Sequence, residues 1–241
     1  MQEAYQPDLA RIHHEGYGGL AEHAAEVLLT ALRARGLEHG TIIDLGCGSG
    51  RLAAPVSRAG YDVLGIDQSE SMLAIAQKVA PAARFQRGSS IDAELPPSIA
   101  VVAIGEIFNY ALDPRASLEA FAGVVGKIKR SLAPGGIFLF DVAGPGRAGP
   151  TPRHHMRQTE DWLCVAEATE AEDGGTLTRS ISTFHREGAH WRRHDERHLL
   201  KLFAPEAVMV VLSEAGFQAE HRNAYGTLAL PSGLHAFFAT C

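Results

Sequence analysis

The sequence predicts an α/β protein built on a parallel, doubly wound sheet. Three observations carry that prediction. Short apolar runs alternate with segments of helical period from Thr41 to Val142. The first run ends in a glycine-rich turn, "TIIDLGCGSGR" at Thr41–Arg51. Beyond Val142 the alternation stops, and strand-like segments follow one another without helices between them.

Ahead of the first strand, "LAEHAAEVLLTALRAR" sets Leu20, Ala24, Val27, Leu28, Ala31 and Leu32 at helical spacing, and Gly36 supplies a stop. "TIIDL" reads as a strand and "SGRLAAPVSRAG" as a helix closed by Gly60. "DVLGID" is the second strand, followed by the helix "SESMLAIAQKVA", which Ser69 can cap and Pro81 ends. "ARFQRG" is a third strand. "SIAVVAIG" is a fourth, with the unbroken apolar character of a strand covered on both faces. Asp113–Pro114 reads as the N-cap and first residue of a helix whose stripe is Leu118, Phe121, Val124, Val125, Ile128 and Leu132. "PGG" stops that helix, and "GIFLFDV" is the fifth strand.

The following "AGPGRAGPTPR" reads as a linker, with His154 and His155 in it. Asp161–Thr169, Thr176–Arg186 and His190–Phe203 then alternate as strands, separated by the turn-like "EDGG" and "REGA". "APEAVMVVLSEAG" returns to a helix, and strands are expected at Phe217–Arg222 and Leu234–Ala239. The chain therefore divides into an N-terminal helical cap (1–39), a cofactor-binding core (40–143), a small antiparallel β insert (144–203) and a closing helix with strands (204–241). The insert follows the carboxyl end of the fifth strand, the edge where open α/β sheets bind ligands. It is the candidate substrate cover.

Composition narrows the function. The 241 residues are 46% apolar, enough for one substantial core. Net charge is −6 and no dense Lys/Arg run exists, which disfavours a nucleic-acid partner. Cys47, Cys164 and Cys241 are odd in number and far apart, so neither a disulfide framework nor a zinc site of the usual spacing is expected. The opening residues lack the basic start and apolar stretch of a signal peptide, and no apolar segment approaches membrane-spanning length. A cytoplasmic protein without a membrane partner is the expectation; oligomeric state is not legible.

Glycines 46, 48 and 50 allow a sharp turn and close backbone approach to a ligand. The helix N-terminus beyond them favours an anionic group. Asp67 ends the second strand, where an acid can accept both hydroxyls of a ribose, whether in a dinucleotide or in S-adenosylmethionine. Two features separate these. The spacing is G-x-G-x-G rather than the dinucleotide G-x-G-x-x-G. Asp44 also stands two residues before the first glycine, where it would repel a pyrophosphate but help hold an ammonium group.

On "IIDLGCGSG", "VLGIDQSESML", "FQRGSSIDAELP", "LAPGGIFLFDV" and "VLSEAGF", the chain resembles the class I S-adenosylmethionine-dependent methyltransferases of small-molecule type. The likeness is strong over residues 40–142 and looser over 199–240. It implies a Rossmann-like, seven-stranded sheet whose last strand is antiparallel, and S-adenosyl-L-methionine as cofactor. By resemblance, Asp44, Gly46, Cys47, Gly48 and Gly50 form the turn at the methionine end. Asp67 takes the ribose, Gln68 and Met72 lie beside the adenosine, and Ser89 and Ser90 lie at the adenine edge. The family often carries an aspartate where Ser89 stands. Gly105 and Glu106 approach the sulfonium and the acceptor.

Methyl transfer to a small-molecule N or O is an in-line displacement that mainly requires alignment and exclusion of water. A general base is needed only for an acceptor that arrives protonated. Within "GEIFNY", Glu106 and Tyr110 are the candidate catalytic residues, and the Asn/Asp-Pro-Pro-Tyr signature of nucleic-acid amine methylation is absent. In "HWRRHDERH", His194, Glu196 and His198 share one strand face; a solvated or cross-strand polar face is favoured over a base with its orienter or a metal site. Tyr5, His13 and Tyr17 either close the pocket as a lid or belong to a helix packed on the sheet. Cys47 reads as a filler, and Met72 as core or cofactor wall. The competing readings are an NAD-linked oxidoreductase or epimerase, and a non-catalytic module that binds S-adenosylmethionine.

Overall fold

The computed structural model describes residues 4–149 and 153–241. Its main sheet has seven strands: β1 (Thr41–Leu45), β2 (Asp62–Asp67), β3 (Arg84–Arg87), β4 (Ser98–Ala103), β5 (Leu132–Ala143), β10 (Gln218–Arg222) and β13 (Leu234–Thr240). Their order is β10-β13-β5-β4-β1-β2-β3, so the chain winds outward from β1 in both directions. β13 runs antiparallel to both of its neighbours, while β1 to β5 pair in parallel. The expected seven-stranded sheet with an antiparallel last strand is therefore present.

Both faces of the sheet are covered, which explains the unbroken apolar strands. On one side α5 (Leu118–Ser131) and α6 (Pro205–Glu214) bring Val124, Val125, Ile128 and Leu212 onto Ile43, Val101, Phe138 and Phe140. On the other, α2 (Gly19–Ala34) and α3 (Ala53–Arg58) bury Leu28, Leu32 and Val56 against Ile42, Ala100 and Leu139. Alternate residues of each strand thus serve opposite layers. Ser69 caps α4 (Glu70–Val79) as the sequence implies, its hydroxyl accepting from Met72 N at 3.2 Å.

Two local expectations are corrected. Helix α5 starts at Leu118 behind a Ser117 cap, not at Pro114. Asp113 is engaged instead by Arg115, which donates its backbone N–H and its guanidinium to that carboxylate. The insert has four strands rather than three: β6 (Arg153–Gln158), β7 (Trp162–Glu170), β8 (Thr176–Glu187) and β9 (His190–Lys201) form one antiparallel meander. His154 and His155 lie on β6, paired across to Glu167 and Ala166, rather than in a linker. As an edge strand, β6 has exposed side chains at 154–158 and hence no apolar alternation to read. A short hairpin, β11 (Ala224–Tyr225) with β12 (Leu228–Ala229), was not anticipated.

The N-terminal segment forms α1 (Pro7–Gly16), which lies between the glycine turn and the insert. Its Leu9 and Ile12 pack on Trp162, Cys164 and Ile181 of the insert. Among the described residues no helix is long and apolar enough to cross a membrane.

Candidate functional site

Two cavities meet at the carboxyl edge of β1, β2, β4 and β5. The smaller, about 120 Å³, is lined by Gly46, Gly48, Asp67, Gln68, Met72, Ser90 and Gly105 among others. The larger, about 610 Å³, lies under the insert and reaches Glu106, Arg147 and Arg179. Tyr5, His13, Gly105 and Tyr110 line both, so these four form a shared wall.

The smaller cavity is built by the glycine turn. Gly46, Gly48 and Gly50 all have positive φ (67°, 51° and 77°), a region L side chains rarely adopt. A Cβ at Gly48 would meet no atom within 4 Å and would occupy the cavity itself, whereas one at Gly46 would collide with Ile107. Gly50 is tight for a different reason: it packs on the backbone of Ala76 in α4 and is not part of the cavity wall. Cys47 is buried with its sulfur turned toward Gly65, and burial raises its pKa well above the ordinary thiol value, so it is inert filler.

Asp67 shapes the turn and faces the cavity at once. Its carboxylate accepts from Gly48 N and Ser69 N, each at 2.8 Å. Gln68 also bonds to it through its backbone; a carboxylate has about four acceptor positions, so capacity for a ligand donor remains. Burial raises its pKa, against these backbone bonds.

Asp44 is 2% exposed, and its Oδ2 has no hydrogen-bond partner. Burial first, and then the charge of Asp67, push its pKa up to about 8. A buried carboxylate oxygen without a donor is costly. A ligand ammonium could satisfy that atom, although Asp44 stands behind the glycine turn and is not itself on the wall of either cavity. Met72 is buried and still lines the cavity, so it is both core and wall. Ser89 faces a neighbouring recess shared with Gln68 and Ser90, and its hydroxyl accepts from Ile91 N.

Asp141, at the end of β5, organises the opposite side. It is fully buried, accepts from Gly105 N at 3.0 Å and Glu106 N at 2.5 Å, and receives the Tyr225 hydroxyl at 3.0 Å. Burial raises its pKa to about 6 despite these donors. The bonds hold Gly105 (φ 99°) and Glu106 (φ 65°) in left-handed conformations, a strain that a non-glycine residue at 106 sustains only with such support. Glu106 is thereby aimed at two guanidiniums: Arg147 Nε donates to it at 2.6 Å and Arg179 at 2.7 Å. Burial opposes its charge, but Arg179 and Arg147 overcome this, and its pKa lies below the ordinary value.

The insert supplies the clasp for the N-terminal segment. Glu196 and His198 are buried, not solvated, which corrects the favoured reading of that trio. The carboxylate of Glu196 accepts from Tyr5 N at 2.8 Å and Gln6 N at 2.9 Å, and lies 2.9 Å from His198 Nε2. Ser69 donates its hydroxyl to Tyr5 O at 2.8 Å. Tyr5 is thus gripped from both sides, its ring 5.2 Å from those of His13 and His198 and its hydroxyl 2.7 Å from that of Tyr110. His13 stacks on Tyr17, and burial, with the charges of His14 and Arg51, lowers its pKa to about 4. Its imidazole is neutral at pH 7. Among the described residues no group of three or more His, Cys, Asp or Glu is placed to hold a metal ion.

Sequence reasoning missed Asp141, Arg147, Arg179 and the clasp role of Glu196. Only the positions of Arg147 after β5 and Glu196 in the alternation of β9 offered a signal.

A family model described as a methyltransferase domain matches residues 42–136. The Bacillus subtilis protein named "Putative methyltransferase YqeM" is 28% identical over 205 residues, covering 81% of this chain and 80% of that protein. A S-adenosylmethionine-dependent methyltransferase structure from Clostridium acetobutylicum superposes with a TM-score of 0.80 at 14% identity, covering 96% of both chains. CalS10, an amino pentose methyltransferase from Micromonospora echinaspora solved with its cofactor bound, gives a TM-score of 0.76 at 20% identity over 100% of this chain and 98% of its own. At these identities the two structures establish the fold.

Proposed function

We propose that the chain is a class I S-adenosylmethionine-dependent methyltransferase, a reading supported by the methyltransferase-domain match over residues 42–136, and that it methylates a nitrogen or oxygen of a small molecule held in the larger cavity, by in-line displacement. The observation that carries this reading is the shared wall. Tyr5, His13, Gly105 and Tyr110 stand where a cofactor in one cavity and an acceptor in the other would meet. A cavity of about 610 Å³ suits a small organic acceptor rather than a polymer. The amino pentose named for CalS10 is of that class.

The cofactor supplies an activated methyl group on a sulfonium when bound. Asp44 would hold its ammonium, the open face of Gly48 would admit its backbone contacts, and Asp67 would take the ribose hydroxyls beside Gln68 and Met72. Ser90 and Ser89 border the adenine side. Tyr110 and Glu106 contact the acceptor. Glu106, held anionic by its arginines, orients a donor group rather than taking a proton at neutral pH. The neutral imidazole of His13 can accept a hydrogen bond from an N–H or O–H of the acceptor, although with a pKa of about 4 it is a weak proton acceptor at neutral pH. The insert and α1 exclude water from the junction, which sharpens every polar contact there.

The test is formation of S-adenosylhomocysteine, followed by mass spectrometry, across a panel of amines, phenols and amino sugars. Turnover with at least one acceptor, and inversion at a chiral methyl group, are expected. Tight cofactor binding with no turnover on any acceptor would instead favour a non-catalytic binding module. Retention of configuration would exclude the in-line path.

A further inference from the structure

The larger cavity contains more charge than methyl transfer requires, and the charges do not balance. Its wall carries one carboxylate, Glu106, and two guanidiniums, Arg147 and Arg179. The histidines on the wall do not restore the balance: His13 is held neutral, and His154 and His155 are exposed at the rim. Much of the remaining wall is apolar, including Leu9, Ala168, Leu177 and Ile181. Counted over the wall itself, one positive charge is left, with the carboxylate of Asp141 buried behind Glu106 rather than facing the cavity, and the exposed guanidinium nitrogens are the groups that meet a ligand anion.

The two arginines are placed by dedicated contacts. Glu170 accepts from Gly146 N at 3.0 Å and Ala148 N at 2.6 Å, fixing the backbone on either side of Arg147. Among the described residues Arg147 has one hydrogen-bonded partner, Glu106, reached through Nε. Its terminal nitrogens remain to serve a ligand. Arg179 comes from β8 and approaches Glu106 from the insert side. A guanidinium fork of this kind suits a planar carboxylate or a phosphate, bound through paired N–H donors.

We propose that Arg147 and Arg179 form an anion-holding pole that anchors a methyl acceptor bearing a carboxylate or phosphate group. The proposal rests on the reading of this cavity as the acceptor site. In it, the acidic end of the acceptor lies against Arg147 and Arg179, and its nucleophilic end reaches the Tyr5–His13–Tyr110 wall. Glu106 then tunes the pole by offsetting one of the two positive charges.

The experiment uses the full chain loaded with S-adenosylhomocysteine, titrated calorimetrically with inorganic phosphate and, separately, with acetate. Chloride at equal ionic strength is the reference. At least one anion is expected to bind, the two arms separating a phosphate-bearing from a carboxylate-bearing acceptor. Arg147→Gln should weaken binding about tenfold or more, and Arg147→Lys less, because a fork becomes a point charge. Glu106→Gln should tighten it about tenfold by removing the opposing charge. A purely structural ion cluster does not behave this way. The proposal is overturned if neither anion binds above chloride, if Arg147→Gln binds as wild type, or if Glu106→Gln fails to tighten binding. Failure of the methyltransferase reading would show elsewhere, as absent S-adenosylhomocysteine loading or absent turnover with every acceptor.

Discussion

Cofactor affinity should be strongly pH-dependent, and Asp44 should be the cause. In the free protein its pKa is about 8, raised by burial and by Asp67. To hold an ammonium it must be ionised, so at lower pH binding has to expel its proton. The cofactor's α-amino group must stay protonated, and the amine of a free amino-acid end does so through pH 8. The ionised fraction of Asp44 therefore rises from ~1% at pH 6 to ~50% at pH 8, and affinity should rise by about tenfold or more over that range.

Calorimetric titration with S-adenosylhomocysteine at pH 6, 7, 8 and 9 reads this directly. Repetition in buffers of different ionisation enthalpy should show release of about one proton per binding event at pH 6. Asp44→Asn should weaken binding and lose the acidic limb. Methylthioadenosine, which lacks the amino-acid end, should bind without that limb even to the wild type. Stability gives an independent sign. A carboxyl whose folded pKa exceeds its unfolded value destabilises the free protein progressively as pH rises from about 4 to about 8. The added cofactor should remove that penalty. Flat affinity between pH 6 and pH 8, or an unchanged slope in Asp44→Asn, would refute the reasoning.

Three further outcomes follow from named contacts. Gly48→Val should abolish cofactor binding, because its side chain would enter the cavity at a φ of 51°, while the melting temperature falls only modestly; equilibrium dialysis and thermal unfolding separate the two. Asp67→Ala should weaken cofactor binding by a few kcal/mol at most, as loss of charge-assisted hydrogen bonds does, and wild-type affinity would sink the ribose assignment. Glu196→Ala strips the acceptor from Tyr5 N and Gln6 N, so S-adenosylhomocysteine should dissociate about tenfold faster in stopped flow, a change that a mere stability defect would not confine to the off-rate.

The core was legible because its signals are local. Strand and helix periods, the Ser69 cap and the three glycines each act within a few residues, and the seven-stranded sheet follows from them. Misses occurred where a tertiary contact outweighed a local signal. Asp113–Pro114 has the form of a helix start, but Arg115 draws the aspartate into a turn and Ser117 takes over the cap. β6 carries no apolar alternation because it is held by its ladder to β7 and shows its side chains to solvent.

The acceptor end resists sequence reading for a stricter reason: its parts meet only in the folded chain. Tyr5 and Glu196 are separated by 191 positions, Tyr5 and Tyr110 by 105, Arg179 and Glu106 by 73. No window contains such a pair, and a buried Glu196 in "HWRRHDERH" looks like any solvated charge until Tyr5 N and Gln6 N are seen to need an acceptor. These contacts also tie the two cavities together. Tyr5 is fixed by Glu196 from the insert and by Ser69 from the cap of α4, beside Asp67. The segment that walls the larger cavity is thus anchored beside Asp67 and the glycine turn.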